Sequence, residues 1–346
     1  MSATKSHIPS STTSPVHEKT HQTMKAIARS EYGSADVLRL ETVNKPAVPE
    51  DGVLIRVQAT SINAGDCHLM RGTPLITRVI YGGLRKPKIQ ILGFDVAGRV
   101  EAVGQKVTQF KPGDEVFGDL SECGFGAFAE YVCAAESSLV LKPDTISFET
   151  AAAVSGAALP ALQGLRDCGQ IQPRQKVLIN GASGGVGSFA VQIAKALGAE
   201  VTALCSTEKM DKVRLLGADH VIDYTQVDVT QSTIDYDLIL DAAAYRSVFD
   251  YFSILKPGGT YVLVGGSISR LFQVMFFGTL ISKVSRRRVN ALVSTPKQSD
   301  LYILKDWLVS GAIAPLIDQI YSLENLPSAV RKLEQRQVTG KVVVRV

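Results

Sequence analysis

From Met24 to about Pro143, apolar positions recur in short alternating or continuous runs, at 24–30, 52–60, 95–103, 113–117 and 127–133. Turn signals such as Pro49-Glu-Asp-Gly52 and Lys111-Pro-Gly-Asp114 separate them. No helices alternate with these strands, so the pattern predicts a compact, partly closed antiparallel β domain. Near Ser147 the period changes. Helical stretches begin near Phe148 and Leu159, and strand–helix alternation follows. Val177–Asn180 reads as an apolar strand, Ser188–Gly198 as an amphipathic helix and Val201–Cys205 as a second strand. Further strands are predicted at Val221–Asp223, Asp237–Asp241 and Tyr261–Gly265, with a helix over 245–255 and a turn at Lys256-Pro-Gly-Gly259. This is the α/β pattern of a doubly wound parallel (Rossmann) sheet. A helix over Asp300–Ser310, a short strand, a second helix and a closing strand from Lys341 complete the chain. The parallel sheet does not need that last strand, which is expected to complete the N-terminal β domain.

The 346 residues suffice for two domains with their own cores. A net charge of +4 is small for this length, and Arg286–Arg288 is too short a basic run to argue nucleic-acid binding. The five cysteines (Cys67, Cys123, Cys133, Cys168, Cys205) never form CxxC, which points to a reducing, cytoplasmic setting without a disulfide framework or zinc knuckle. No apolar run reaches the ~18 residues of a membrane span. Residues 1–23 are rich in Ser, Thr, His and Pro and lack the apolar stretch of a secretory signal. They are expected to form a disordered tail, with a transit segment or an early-assigned start as alternatives.

Between the first two strands of the alternating half lies Gly181-Ala-Ser183-Gly184-Gly185-Val186-Gly187. A glycine-rich turn between strand and helix lets backbone approach a pyrophosphate, and the helix N-terminus offers free N–H groups to it. An NAD site places Asp or Glu at the tip of the second strand for the ribose hydroxyls, whereas a 2′-phosphate favours hydroxyls and cations. This chain has Cys205-Ser206-Thr207-Glu208-Lys209. Ser206 and Lys209 therefore point to NADPH, although Ser206 and Thr207 also suit a helix cap.

Several further motifs stand at fixed places in this framework: Leu92-Gly-Phe-Asp-Val-Ala-Gly98, Phe110-Lys-Pro-Gly-Asp114, Gly126-Ala-Phe-Ala-Glu-Tyr131, Leu216-Gly-Ala-Asp-His-Val-Ile-Asp-Tyr224 and Thr339-Gly-Lys341. With them, Met24–Val346 resembles the medium-chain dehydrogenase/reductase superfamily, in its zinc-free quinone oxidoreductase-like (zeta-crystallin-like) branch. The resemblance implies a GroES-like catalytic domain over 24–146, completed by 294–346. It implies a Rossmann NADPH-binding domain over 147–293, an active site in the cleft between them, and a homodimer. Where zinc-dependent relatives carry a Cys ligand this chain has Asn63, and where they carry Gly-His-Glu it has Gly93-Phe94-Asp95; a third slot falls near Gly156. No metal is expected, because catalytic zinc needs three ligands from His, Cys or carboxylate.

Without a Lewis acid, reducing a simple ketone is demanding. Hydride addition to a quinone or an α,β-unsaturated carbonyl is easier, since the charge delocalises into a phenolate or enolate that hydrogen-bond donors can stabilise. That reaction is the expected function. A nucleotide-binding redox sensor or scaffold, or a zinc-free alcohol dehydrogenase, are the alternatives. By resemblance, Asn63 and Asp66 lie near the nicotinamide ribose and the small-molecule substrate. Asn63 also suits a turn, and Asp66 suits the N-cap of the next helix. His68 is a candidate proton donor, with a surface role as its alternative. Tyr224 resembles a residue beside the adenosine phosphate, Gly265 and Gly266 a backbone approach to the nicotinamide half, and Lys341 a further cofactor contact. The apolar segment 271–281 with Lys283 and Arg286–Arg288 reads as an insertion serving as lid, subunit contact or peripheral membrane contact.

Overall fold

The computed structural model describes residues 22–81 and 83–346. The tail expected over 1–23 therefore lies outside the described residues as far as 21, and Thr23 already pairs with Asn44. The N-terminal half runs through β1 (Thr23–Ala28), β2 (Arg39–Asn44), β3 (Gly52–Ile62), α1 (Ala64–Arg71), α2 (Leu75–Ile80), β4 (Asp95–Val103), β5 (Glu115–Asp119), β6 (Tyr131–Ala135) and β7 (Leu139–Leu141). β1 and β2 form an antiparallel hairpin. β2 gave no sequence signal because its side chains are almost all exposed, so no face alternates.

The second half contains α3 (Phe148–Ala152), α4 (Ser155–Gln163), β8 (Lys176–Asn180), α5 (Gly185–Ala196), β9 (Glu200–Cys205), α6 (Met210–Arg214), β10 (His220–Asp223), β11 (Tyr236–Asp241), β12 (Leu255–Leu263), α7 (Ile268–Ser285) and β13 (Arg288–Ala291). These strands form a parallel sheet in the order β10-β9-β8-β11-β12-β13, so the strand order reverses between β8 and β11. Ligands bind outside the carboxyl ends of strands at such a switch point. There Asn180 Nδ2 donates to Asp241 Oδ1 at 2.7 Å, and Tyr261 Oη donates to Oδ2 at 2.8 Å. That buried network ties the ends of β8 and β11 to β12.

The chain closes with α8 (Gln298–Ser310), β14 (Ile317–Ser322), α9 (Leu326–Glu334) and β15 (Lys341–Arg345). β15 pairs antiparallel with β3, Val342 opposite Ile62, and so enters the first sheet, β14-β15-β3-β4-β5-β7 with β6 also on β3. One core joins the two halves. Ala59, Ala97, Phe117 and Val343 of the first sheet pack with Ala151–Val154 and with the apolar strands β8, β9 and β11.

Three expectations change. The helix expected over 245–255 is a 3-10 helix over Val248–Ser253. Val248, Tyr251 and Ile254 are buried at a spacing of three, the period of that helix rather than of an α-helix. The turn at 256–259 is an excursion within β12, since Leu255 pairs with Tyr236 and Thr260 with Leu238. The segment read as an insertion at 271–288 is the crossover helix α7 linking β12 to the parallel strand β13.

Candidate active site

β3, β4, β5 and β15 end at one level, facing α4 and the glycine-rich turn. In antiparallel register Val342 stands opposite Ile62, which brings Lys341 beside Asn63, and Asp95 pairs with Asp119. Asp95 is fully buried and is the hub. Its Oδ2 accepts from Ser61 Oγ, from Asn63 Nδ2 at 2.9 Å and from Lys341 Nζ at 3.2 Å. Its Oδ1 accepts from the N–H of Gly156 in the first turn of α4. Lys341 Nζ, 2% exposed, also donates to Asn63 Oδ1 at 2.5 Å. An ammonium only donates and a carboxylate only accepts, so the two together fix which way the Asn63 amide points. One Nδ2 hydrogen goes to Asp95; the other has no partner among the described residues.

Asn63 is the N-cap of α1, and Asp66 is not the cap but the third helical residue reaching back. Asp66 Oδ2 accepts from the Asn63 N–H at 2.9 Å and Oδ1 from the Gly93 N–H at 3.1 Å. Burial, reinforced by the Asp95 charge, pushes the Asp66 carboxyl up to about 7. The same two causes push Asp119 up to about 6. His68 is exposed on α1, about 200° around the helix from Asp66, and no described hydrogen bond joins its imidazole to the cluster. Burial raises the neighbouring Cys67 thiol, which disfavours a thiolate.

Gly181 has φ +78°, and α5 begins at Gly185 with Gly184 as its cap. A Cβ on Gly187 would lie 2.1 Å from Gly181 O, so only glycine lets the helix start this close to the turn. The half-buried Val186 packs on the core. Gly340 N–H donates to Ser183 O at 2.7 Å, and a Cβ on Gly185 would lie 3.1 Å from Lys341 Cδ. The segment entering β15 therefore touches the glycine-rich turn with its backbone and the Asn63 cluster with its lysine.

At the β9 tip Ser206 stands at the N-cap position of the 3-10 turn Thr207–Lys209, its hydroxyl donating to Glu208 Oε1 at 3.4 Å. The Lys209 amine donates to the carbonyls of Val338 at 2.9 Å and Arg336 at 3.2 Å. Asp223 stands opposite Cys205, its carboxylate engaged by the hydroxyls of Thr207 and Thr225. Tyr224 is 52% exposed beside this tip, its N–H donating to Cys205 O at 3.1 Å. Gly265 and Gly266 follow the end of β12, with Gly266 bridged to Ala244. The glycine turn, the β9 tip and Gly265–Gly266 thus line one edge of the parallel sheet, as a dinucleotide requires. Sequence reasoning missed Arg336, whose guanidinium lies 4.4 Å from the Tyr245 ring centroid with the backbone at φ +61°. It also missed Asp119, and named Asp95 and Gly156 only as metal slots. A buried acid opening an apolar strand, answered by a lysine opening another, was the available signal.

Two family models match the chain: the GroES-like domain of alcohol dehydrogenase over residues 49–144 and a zinc-binding dehydrogenase over 216–344. The donor set does not fit zinc. Asn63, Gly156 and an ammonium surround the one carboxylate of Asp95, and the Phe94 ring packs beside Gly65 and Phe125. The 2-methylene-furan-3-one reductase of Solanum lycopersicum is 32% identical over 93% of this chain and 79% of its own length. The chloroplastic NADPH-dependent alkenal/one oxidoreductase of Arabidopsis thaliana is 33% identical with the same coverages. The quinone oxidoreductase of Lama guanicoe is 30% identical over 93% and 97%. The solved quinone oxidoreductase of Coxiella burnetii superposes with a TM-score of 0.84 at 28% identity, covering 94% of this chain and 100% of that one. Fold, glycine-rich turn and relatives agree, and the chain belongs to the quinone oxidoreductase-like branch of the medium-chain dehydrogenase/reductase superfamily, as an oxidoreductase using a nicotinamide cofactor.

Proposed function

We propose that this enzyme is an NADPH-dependent, zinc-independent reductase of quinones or α,β-unsaturated carbonyls. One observation carries the reading: the Asn63 amide is clamped at fixed polarity between Lys341 and Asp95, beside the nucleotide-binding turn, with one N–H left to give. Relatives named for alkenal/one, 2-methylene-furan-3-one and quinone reduction support it. The residues 181–187, Ser206, Tyr224 and Gly265–Gly266 would hold the dinucleotide, and when bound its nicotinamide supplies a hydride. Asn63 donates its remaining N–H to the acceptor's carbonyl oxygen as charge develops there, a preorganised contact that costs no reorganisation. The buried Lys341 ammonium adds positive charge behind that amide. Solvent in the cleft supplies the proton that completes the reduction.

Preference for NADPH rests on Ser206 at the β9 tip, on Lys209 in the turn beside it, on Arg336, whose backbone carbonyl Lys209 contacts and whose guanidinium lies over Tyr245, and on Asp223 being occupied by two threonines. The working division remains 24–146 with 294–346 as the catalytic unit and 147–293 as the cofactor unit. The five unpaired thiols accord with a cytoplasmic setting. A panel of quinones, enones and simple alcohols, assayed with NADPH and NADH before and after chelator treatment, tests the proposal. Turnover of an enone or quinone with NADPH, unchanged by chelator, is expected. Tight NADPH binding without turnover on any acceptor would favour a sensor, and NADP⁺ reduction by simple alcohols an alcohol dehydrogenase.

A further inference from the structure

α7 is apolar on both sides, and among the described residues only one side is packed. Val274 and Ile281 are buried against the sheet, with Leu271 packed beside them. Gly278 lets that face approach β13, since a Cβ there would lie 3.0 Å from Val289 O. At 100° per residue the remaining apolar side chains fan over the opposite arc: Phe272, Met275, Phe276, Phe277, Leu280 and Val284. They are 40 to 78% exposed, and the Phe272 and Phe276 rings stack at 5.7 Å. Together they present on the order of 600 Å² of apolar side chain to water, the upper end for one patch on a monomer.

The charge around this helix decides what covers it. Between Tyr251 and Ser299 the chain carries seven of its 37 Lys and Arg and none of its 33 Asp and Glu. The rest of the chain is therefore net −3, and the surplus positive charge is local. Arg287 is turned inward onto the carbonyls of Leu255 and Phe252, and Arg288 donates to Gln170. Lys283 and Arg286 remain exposed, Lys283 in the middle of the apolar arc and Arg286 at the helix's C-terminal end. An isologous contact with a second copy would set two such acid-free segments, each with exposed Lys283 and Arg286, against each other, which is unfavourable. An anionic surface offers the complementary charge. No helix of the described residues is long and apolar enough to cross a membrane.

We propose that α7 docks this enzyme on the surface of an anionic lipid bilayer, its aromatic face lying among the acyl chains and Lys283 and Arg286 reaching phosphate headgroups. The helix lies in the plane of the interface, with its ~27 Å length parallel to the surface. Docking brings the enzyme to apolar acceptors dissolved in the membrane, and this part does not depend on which acceptor the active site prefers.

Flotation of the full chain with vesicles tests it, using phosphatidylcholine alone and with about one third phosphatidylserine, in low and high salt. Binding to the anionic vesicles, weakened by salt, is expected. Each basic residue near such a surface is worth roughly fivefold in partitioning, so K283Q/R286Q loses about 30-fold. F276E/L280E abolishes binding by removing the apolar insertion. Both variants keep wild-type turnover of a water-soluble acceptor, because neither touches the active site. Absence of binding to anionic vesicles, or equal binding to neutral ones, overturns the proposal. So does a dimer in sedimentation velocity that F276E/L280E splits while vesicle binding persists, which would assign the face to a second copy.

Discussion

Replacing Lys341 with Met removes a buried ammonium and keeps most of its volume. Asp95, fully buried, would retain Ser61, Asn63 and Gly156 as neutral donors but lose its only described cationic partner. Breaking a buried ion pair from one side costs about 3–5 kcal/mol, because the remaining charge is left uncompensated. The three surviving donors place the expected loss near the lower end, about 3 kcal/mol. Asp95→Asn alone should cost a comparable amount by stranding Lys341. The double variant K341M/D95N removes both charges and should recover a large part of the loss, giving a coupling of at least ~1.5 kcal/mol in the cycle. Urea unfolding of the four proteins, with midpoints and slopes compared, measures this. Activity should part company with stability. In K341M the Asn63 amide is no longer fixed from its oxygen side, and kcat should fall about 10- to 100-fold, less than the full value of an oxyanion donor. The double variant should regain stability without regaining kcat, since the Lys341 clamp on the Asn63 oxygen is still missing. If K341M costs under ~1 kcal/mol, or the double variant equals the sum of the singles, the ion pair is not what organises this site.

Gly187→Ala drives a Cβ to 2.1 Å from Gly181 O and should cost several kcal/mol in thermal unfolding as well as NADPH binding, whereas Gly184→Ala, whose nearest neighbour is at 3.4 Å, should be mild in unfolding. Asp66 holds its proton more firmly folded, at about 7, than unfolded, so the folded state loses stability as pH rises from about 4 to about 7. Asp66→Asn removes that loss: its stability relative to wild type should climb by up to ~3 kcal/mol between pH 4.5 and 7.5, and a pH-independent difference would contradict the assignment. Arg336→Ala should raise KM for NADPH roughly tenfold and leave KM for NADH unchanged, because the cofactors differ only in the 2′-phosphate; equal effects on both would remove Arg336 from cofactor discrimination.

The sequence by itself determined the parts whose physics is local. A glycine-rich turn between an apolar strand and an amphipathic helix specifies a nucleotide cradle because steric demands act within a few residues, as at Gly181 and Gly187. The change from strand runs to strand–helix alternation near Ser147 marked the two architectures for the same reason, and the surplus final strand foretold its return to the first sheet. At 245–255, where the sequence suggests a helix, the structure has a 3-10 helix over Val248–Ser253, because the residues it buries stand three apart. Only the tertiary structure decided the acid–base arrangement. Lys341 and Asn63 are 278 residues apart, and nothing local in either says that β15 will lie against β3 and deliver an ammonium to Asp95. The same holds for the burial that lifts Asp66, the outward face of α7 and the approach of Arg336 to Tyr245. Burial and electrostatic pairing depend on what the rest of the chain packs around a residue, and sequence spacing carries no measure of that.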